Sequence, residues 1–491
     1  MFQLDSRFKI LNPASAFVLL LLAFMHFNMS ALAASSEVAK KRPNILFILA
    51  DDHRADLLGK IHPIIKTPNL DELAGKGTMF KNAFVTTPIC ASSRVSILTG
   101  LTERTHDFTF GRPATGLVES NNMYPKLLKE SGYRSGFVGK YEIKFSNQDH
   151  QNFDYFKPLL QSKTNEFKGK TIPQTYYITE LAKEFITQSN NTQQPWAISV
   201  NYWNPHAHDT DEQDQYHYPE EFESWYADVE IPAAKFSDDA NFDNLPEFLR
   251  NSIGRVRWQY RYADEAMYQK MVKRHYRAIS AVDKGVGMIL KMLEETGQAD
   301  NTIVIYTGDN GYNINERQLA GKWFGWEEDL RVPLIIYDPR NKSSQGKVKQ
   351  QMALNIDIAP TILNLANVNI PASYQGLSLN PLMTVQDPLE WRKEFFFEHM
   401  YQPKRVSIPP MVGIRTTEWK YVEFYKNDFK QLYDLKADPA EQTNLAESAK
   451  YQSILQEFER RTGEYIERYE DQRTEEVKAR PSFVNTRDTL K

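Results

Sequence analysis

A single cysteine, Cys90, is all the thiol chemistry that this 491-residue chain carries. No intrachain disulfide can form, so the fold must rest on its apolar core. Charge of one sign is missing too. Lys and Arg total 59 against 63 Asp and Glu, a formal net charge of -4, which excludes a global basic field for holding nucleic acid. Long apolar runs are scarce. The run from Ala16 to Met25 falls short of the roughly 20 residues that a membrane-spanning helix needs, and no later segment qualifies. What remains is 41% hydrophobic and 25% charged, the make-up of an ordinary globular protein rather than a disordered or fibrous one.

The apolar run has a use. Arg7 and Lys9 precede it and Ala31-Leu32-Ala33 follow it, the pattern of a cleaved secretory signal. Residues 1–33 are therefore expected to be removed and the protein to be secreted or periplasmic, with no stable membrane anchor. No cysteine stands near the end of this leader, which excludes a lipoprotein attachment. In an oxidising compartment a lone thiol is buried, paired between chains, or used chemically.

Several short apolar runs stop abruptly at polar, chemically capable residues. Asn44 to Ala50 ends at Asp51-Asp52, Tyr133 to Gly139 at Lys140, Trp196 to Trp203 at Asn204-Pro205-His206, and Thr302 to Thr307 at Gly308-Asp309-Asn310-Gly311. Continuous apolar runs of this kind read as buried parallel strands. Helical patterns at 71–76, 124–131 and 267–295 alternate with them, which predicts an α/β fold with a large, mostly parallel central sheet flanked by helices. Ligands of such sheets bind beyond the carboxyl ends of the strands. After Pro381 the texture changes to short strands at 394–397, 412–416 and 421–425, then an amphipathic helix within 447–470. The expected organisation is a leader at 1–33, a catalytic domain at 34–380, a smaller C-terminal α+β subdomain at 381–475, and a charged, frayed tail at 476–491. The segments 164–175 and 208–262 read as surface insertions.

Cys90 lies in Pro88-Ile89-Cys90-Ala91-Ser92-Ser93-Arg94, followed at a short distance by Leu98-Thr99-Gly100. This resembles the signature of the type I sulfatases, Cys-x-Pro/Ala-Ser-Arg and then Leu-Thr-Gly, with Ser92 where Pro or Ala is usual. Other elements occur in the family's order: Arg42-Pro43-Asn44, Asp51-Asp52, Thr67-Pro68-Asn69, Gly139-Lys140, Pro205-His206, Gly308-Asp309-Asn310-Gly311, and Lys322 ahead of Trp326-Glu327. The resemblance implies an alkaline-phosphatase-like fold. It also implies that a formylglycine-generating maturation enzyme oxidises Cys90 to formylglycine. One hydroxyl of the hydrated aldehyde then attacks sulfur and expels the alcohol, and the second collapses the sulfated intermediate.

Asp51, Asp52, Asp309 and Asn310 offer hard oxygen ligands which, with the Cys90-derived group, suit Ca²⁺ or Mg²⁺. Alone, Asp51-Asp52 would cap a helix and Gly308-Asp309-Asn310-Gly311 would form a turn. Their pairing around Cys90 favours a cation site. Arg94 is expected to hold the hydroxyl or a sulfate oxygen, and Lys140, His206 and Lys322 to converge on the sulfate. Many relatives read Gly-Lys-Trp-His where this chain reads Gly139-Lys140-Tyr141-Glu142. The missing histidine's role falls to His106, His208, Glu142 or solvent. His53 and Arg54, beside the acidic pair, either reach the substrate's sugar or support the metal loop.

The expected function is removal of sulfate from a sulfated polysaccharide or oligosaccharide, with algal polymers such as ulvan ahead of glycosaminoglycans. Two rivals stand beside it. One is a phosphodiesterase or phosphonate monoester hydrolase of the same superfamily, the other a catalytically inactive glycan-binding relative.

Overall fold

All seven residues of the strand Asn44–Ala50 are buried. Ile45, Phe47 and Leu49 enter one apolar cluster with Ile303 and Ile305. Leu46, Ile48 and Ala50 enter a second with Val304 and Tyr306. A strand covered on both faces has no polar side with which to alternate, hence the continuous apolar run. The computed structural model describes residues 41–480 except 111, 193, 212, 385–387 and 404–405. The expected leader at 1–33 and the last part of the expected tail lie outside the described residues.

The central sheet has eight strands, in the spatial order Lys347–Lys349, Thr78–Phe80, Leu334–Tyr337, Thr302–Gly308, Asn44–Ala50, Trp196–Asn201, Arg134–Lys140, Tyr155–Leu159. It is mixed but mostly parallel. Leu334–Tyr337 alone among these strands runs antiparallel to its neighbours. Helices Cys90–Thr99, Tyr124–Glu130 and Ile358–Leu365 cover one face. Pro68–Lys76, Gln174–Asn190 and the 31-residue Glu265–Glu295 cover the other. No helix among the described residues is long and apolar enough to cross a membrane.

The C-terminal part is a four-stranded antiparallel sheet of Glu394–His399, Met411–Thr416, Trp419–Phe424 and Phe429–Asp434. Phe395, Phe397, Val422 and Phe424 on one face join the main core. Phe396, Val412, Ile414 and Tyr421 on the other pack under Leu455 and Phe458 of the helix Gln452–Asp471. Lys420, fully buried, pairs with Glu327 at 2.7 Å and with Glu441 at 2.6 Å. This locks the sheet to the segment that follows Lys322.

Two expectations are corrected. Residues 208–262 are more than a surface insertion: Tyr216, Tyr226, Ile231 and Tyr262 pack with Tyr268, Met271, Val272 and Tyr276 of the long helix in a core of their own. Aromatic side chains of this size gain roughly 1.5–3 kcal/mol each by such cover. The tail does not begin frayed at 476 either. Glu475–Lys478 is a helical turn capped by the Thr474 side chain, and Val477 is fully buried.

Gly139 makes the turn that delivers Lys140. Its φ is 97°, and a Cβ there would stand 1.9 Å from the Asn201 carbonyl oxygen. Gly139→Ala should therefore lower stability by roughly 2–4 kcal/mol through left-handed strain and overpacking. A urea midpoint equal to that of the parent protein would refute this.

Candidate active site

Strand register brings the polar ends together. Ala50 pairs with Gly308, Leu49 with Asn201, and Gly139 with Asn201, so Asp51, Asp309, Asn201 and Lys140 emerge on one rim of the sheet. The helix Cys90–Thr99 starts against this rim, with all ten residues buried and no side-chain cap at Ile89. Its first-turn amides and dipole favour an anion at Cys90. Asn355 holds the helix in place: its Oδ1 accepts from the Thr86 backbone amide at 3.0 Å, and its Nδ2 donates to Ser93 Oγ at 2.9 Å. Gly100, with φ 67°, ends the helix in the left-handed conformation.

Three carboxylates and three cations meet here. Lys140 Nζ bonds Asp51 Oδ2 and lies 4.4 Å from the centre of the Trp203 ring. Lys322 Nζ donates to Asp52 Oδ1 at 2.5 Å and stands 3.6 Å from Asp51 Oδ1. Arg94 Nε donates to Asp309 Oδ2 at 2.8 Å, and its Nη1 donates to the Lys140 carbonyl at 2.9 Å. Asn310 Nδ2 donates to Asp52 Oδ1 at 2.7 Å. Burial would raise the Asp51 carboxyl, but Lys140, His206, Lys322 and Arg94 overcome it and hold the group far below the carboxylate range. Asp309 goes the other way, pushed up to about 6 by burial and by Asp51 despite Arg94. Burial also raises the Cys90 thiol, against the pull of Lys140 and Lys322. As a plain thiol it is a poor nucleophile at neutral pH.

The donor set fits a hard divalent cation. Asp51 Oδ1 and Asn310 Oδ1 are buried oxygens without a hydrogen-bond partner, and ligand atoms of Asp51, Asp52 and His206 all lie within 4.8 Å of one another. Orphaned acceptors gathered in this way are costly unless a cation or water satisfies them.

The structure brings Cys90, Arg94, Lys140, His206, Lys322, Asp51, Asp52, Asp309 and Asn310 to one place. His206 Nδ1 bonds its neighbour's carbonyl on Ala207 at 2.6 Å, leaving Nε2 toward Asp52 Oδ2 at 3.9 Å; burial lowers its pKa. Arg94 pairs with Asp309 and the Lys140 carbonyl, while its buried Nη2 has no hydrogen-bond partner and keeps N–H groups for the expected hydroxyl or sulfate oxygen. Three candidates are corrected. His53 is fully buried between the Tyr306 hydroxyl at 2.6 Å and the Leu57 carbonyl at 2.8 Å. Arg54 is drawn to Asp56 at 2.6 Å and Glu316 at 2.6 Å. His106 is buried against the helix Cys90–Thr99, 3.0 Å from Ser96 Oγ and accepting from the Phe108 amide at 3.1 Å. Neither histidine has a polar atom to spare for a sugar, and Arg54 keeps only an Nη2 N–H beyond its bond to Asp56.

His208 stays partly exposed, with Nδ1 at 3.0 Å from Thr210 Oγ1 and its ring against His217. Glu142, in the place of the usual histidine, lies 3.2 Å from Lys140 Nζ. Sequence reasoning missed Asn201 and Trp203, although both sit at the end of a flagged strand. It also missed Asp209, Arg257 and Trp323, of which only Trp323, next to Lys322, carried a local signal.

The sulfatase family model matches residues 43–368. The chain belongs to the sulfatase family. A second family model, N-sulphoglucosamine sulphohydrolase C-terminal, matches residues 315–468. The chain is 27% identical to an N-acetylglucosamine-6-O-sulfatase of Bacteroides thetaiotaomicron, over 94% of this chain and 92% of that one. It is 25% identical to an ulvan-active sulfatase of Formosa agariphila, over 85% of this chain and 80% of the relative. Among solved structures, BT4656 in complex with its substrate D-glucosamine-2-N,6-O-disulfate superposes with a TM-score of 0.74 at 25% identity, covering 88% of this chain and 99% of that one. The fold of this sulfatase is thus shared with that solved structure over most of the chain.

Two outcomes follow for the site. Ca²⁺ at a hundred times its dissociation constant should stabilise the native protein by about 2.7 kcal/mol. Calorimetry should show a Tm rise that EDTA reverses and Asp309→Ala abolishes; a Tm indifferent to Ca²⁺ would argue against the cation. Burial holds His106 down to about 3, so between that value and 6.5 the unfolded chain binds the proton and the native protein does not. Its contribution is present above pH 6.5 and is lost as pH falls. His106→Gln should therefore reduce the slope of unfolding free energy against pH by about 1.4 kcal/mol per unit between pH 6 and 4. Equal slopes for the two proteins would mean that His106 is protonated in the native state.

Proposed function

We propose that this sulfatase is exported and removes sulfate from a sulfated polysaccharide or oligosaccharide, using a formylglycine made from Cys90 by a maturation enzyme. The observation that carries the reading is the convergence of the Cys90 helix start with three carboxylates and three cations on one rim. Asp51, Asp52, Asp309 and Asn310 would hold Ca²⁺, or Mg²⁺, which supplies Lewis-acid polarisation of the sulfate and of the nucleophile. Asp51, Asp52, Asp309 and Glu142 outnumber Arg94, Lys140 and Lys322 by one, so a divalent ion would leave one net positive charge suited to a sulfate ester. Formylglycine supplies a hydroxyl nucleophile where a buried thiol would be inert.

The remaining steps belong to the chain's own residues. Lys140 and Lys322 neutralise sulfate oxygens as the S–O bond breaks. His206, its Nδ1–H tied to the Ala207 carbonyl, carries a bare Nε2 that accepts a proton and returns it to the leaving oxygen. Arg94 is a positioning residue that aims Asp309 and the Lys140 backbone.

An algal-type polymer such as ulvan is the favoured substrate, supported by the Formosa agariphila relative. The N-acetylglucosamine-6-O-sulfatase makes amino-sugar sulfates the comparison. Protein made with a formylglycine-generating enzyme should show Cys90 converted by peptide mass spectrometry and should release sulfate from one of these sugars. Cys90→Ala should lose roughly three orders of magnitude of that activity with its circular dichroism intact. Faster turnover of an aryl phosphodiester than of any sulfate ester would overturn the reading in favour of the phosphonate-hydrolase rival. An unconverted Cys90 with sugar binding but no sulfate release would favour the inactive one.

A further inference from the structure

We propose that Arg257 binds a second oxyanion of the substrate, a carboxylate or a further sulfate, beside the sulfate ester that is cleaved. The proposal rests on the sulfated-sugar reading of the site and names the kind of sugar it selects.

Arg257 lies on the helix Ile253–Arg261, far in sequence from every strand end, yet its carboxylate partner Asp209 is close enough to His206 and Lys322 to feel both charges. Its guanidinium stacks 4.6 Å from the centre of the Trp323 ring. A Cβ placed on Gly321 would stand 3.6 Å from its Nη1. Gly321 and Trp323 flank Lys322, so Arg257 stands next to the lysine that faces Asp52. The sole carboxylate bonded to it among the described residues is Asp209, at 2.5 Å. Asp209 lies three residues beyond His206 and is shared with Arg261, also at 2.5 Å.

Charge and exposure then decide the role. Two guanidiniums share one carboxylate, which leaves one positive charge uncompensated. Asp209 cannot shed its charge to restore a balance of another kind: burial raises it, but Arg257, Arg261, His206 and Lys322 hold it down to about 2. Arg261 is 1% exposed and occupied by Gln215 and the Tyr312 hydroxyl. Arg257 is 20% exposed, and Asp209 takes only its Nη2. The surplus charge therefore faces solvent through Arg257, beside the segment that carries Lys322. A planar guanidinium steadied by an indole ring presents its remaining N–H groups in the fork that matches a carboxylate or sulfate.

The test uses full-length Cys90→Ser protein, so that binding is read without turnover, and two matched pairs of sugars. D-glucosamine-2-N,6-O-disulfate against N-acetylglucosamine 6-sulfate reads a second sulfate. A sulfated rhamnose linked to a uronic acid against the free sulfated rhamnose reads a carboxylate. By calorimetry, the doubly anionic member of at least one pair should bind about tenfold more tightly, and that pair identifies the group. Arg257→Gln should erase the preference, and Arg257→Lys should keep part of it. Equal affinity within both pairs, a preference that survives Arg257→Gln, or no binding of any of the four sugars overturns the proposal. Sulfate release by converted wild-type protein is measured separately. Arg257-dependent binding without release would sink hydrolysis and leave this subsite standing, whereas release without the preference would do the reverse.

Discussion

The buried guanidinium of Arg94 is the contact on which the site depends. It is 3% exposed, and its partner Asp309 is fully buried. From the first turn of the helix Cys90–Thr99 it reaches the Asp309 carboxylate at the end of one strand and the Lys140 carbonyl at the end of another. Its Nη1 also lies 3.4 Å from Asn201 Oδ1, at the end of a third. A buried ion pair is not a strong source of stability in itself, because desolvation offsets most of the attraction. Its worth here is geometric: a planar, always charged fork fixes three strand ends and one helix start relative to each other.

Around that fork the electrostatics are poised rather than relaxed. Asp51 is driven to stay ionised while Asp309, only a short way off, is driven toward protonation. Neighbouring carboxylates whose environments pull in opposite directions mark a site prepared for a charge the protein itself does not contain. The buried, unpartnered oxygens of Asp51 and Asn310 say the same in terms of hydrogen bonding. A packed core surrounds them on both faces of the sheet, so there is no easy collapse to relieve the tension.

Much of this was legible in the sequence, for physical reasons. A parallel strand covered on both faces must be a continuous apolar run, so Asn44–Ala50, Trp196–Asn201 and Thr302–Gly308 announced themselves, and the polar residues at their ends marked the rim. What stayed hidden depended on side-chain direction or on distant partners. His53 stands next to two acidic residues of the rim, yet its ring turns inward to Tyr306; adjacency along a chain does not fix direction. Nothing in the sequence around His106 announces the Ser96 hydroxyl that its ring meets at 3.0 Å. Arg257 and Asp209 are separated by 48 positions, and no periodicity joins a helix residue to a loop residue across such a gap. The segment 208–262 read as surface because its aromatics are interspersed with charge, and only the face of the long helix gives them a core.

The finished fold also imposes an order of events. Cys90 is 3% exposed, so the proposed maturation enzyme would have to reach it before the helix seats against the sheet. Completion of the pocket waits on distant sequence. Lys322 enters the site on a segment whose Glu327 is fixed by Lys420 and by Glu441, residues that leave the ribosome more than three hundred positions after Cys90. Until they arrive, Glu327 lacks these partners and the segment that carries Lys322 lacks its buttress. The same late-arriving buttress that completes the pocket thus sets a deadline for the chemistry that would arm it.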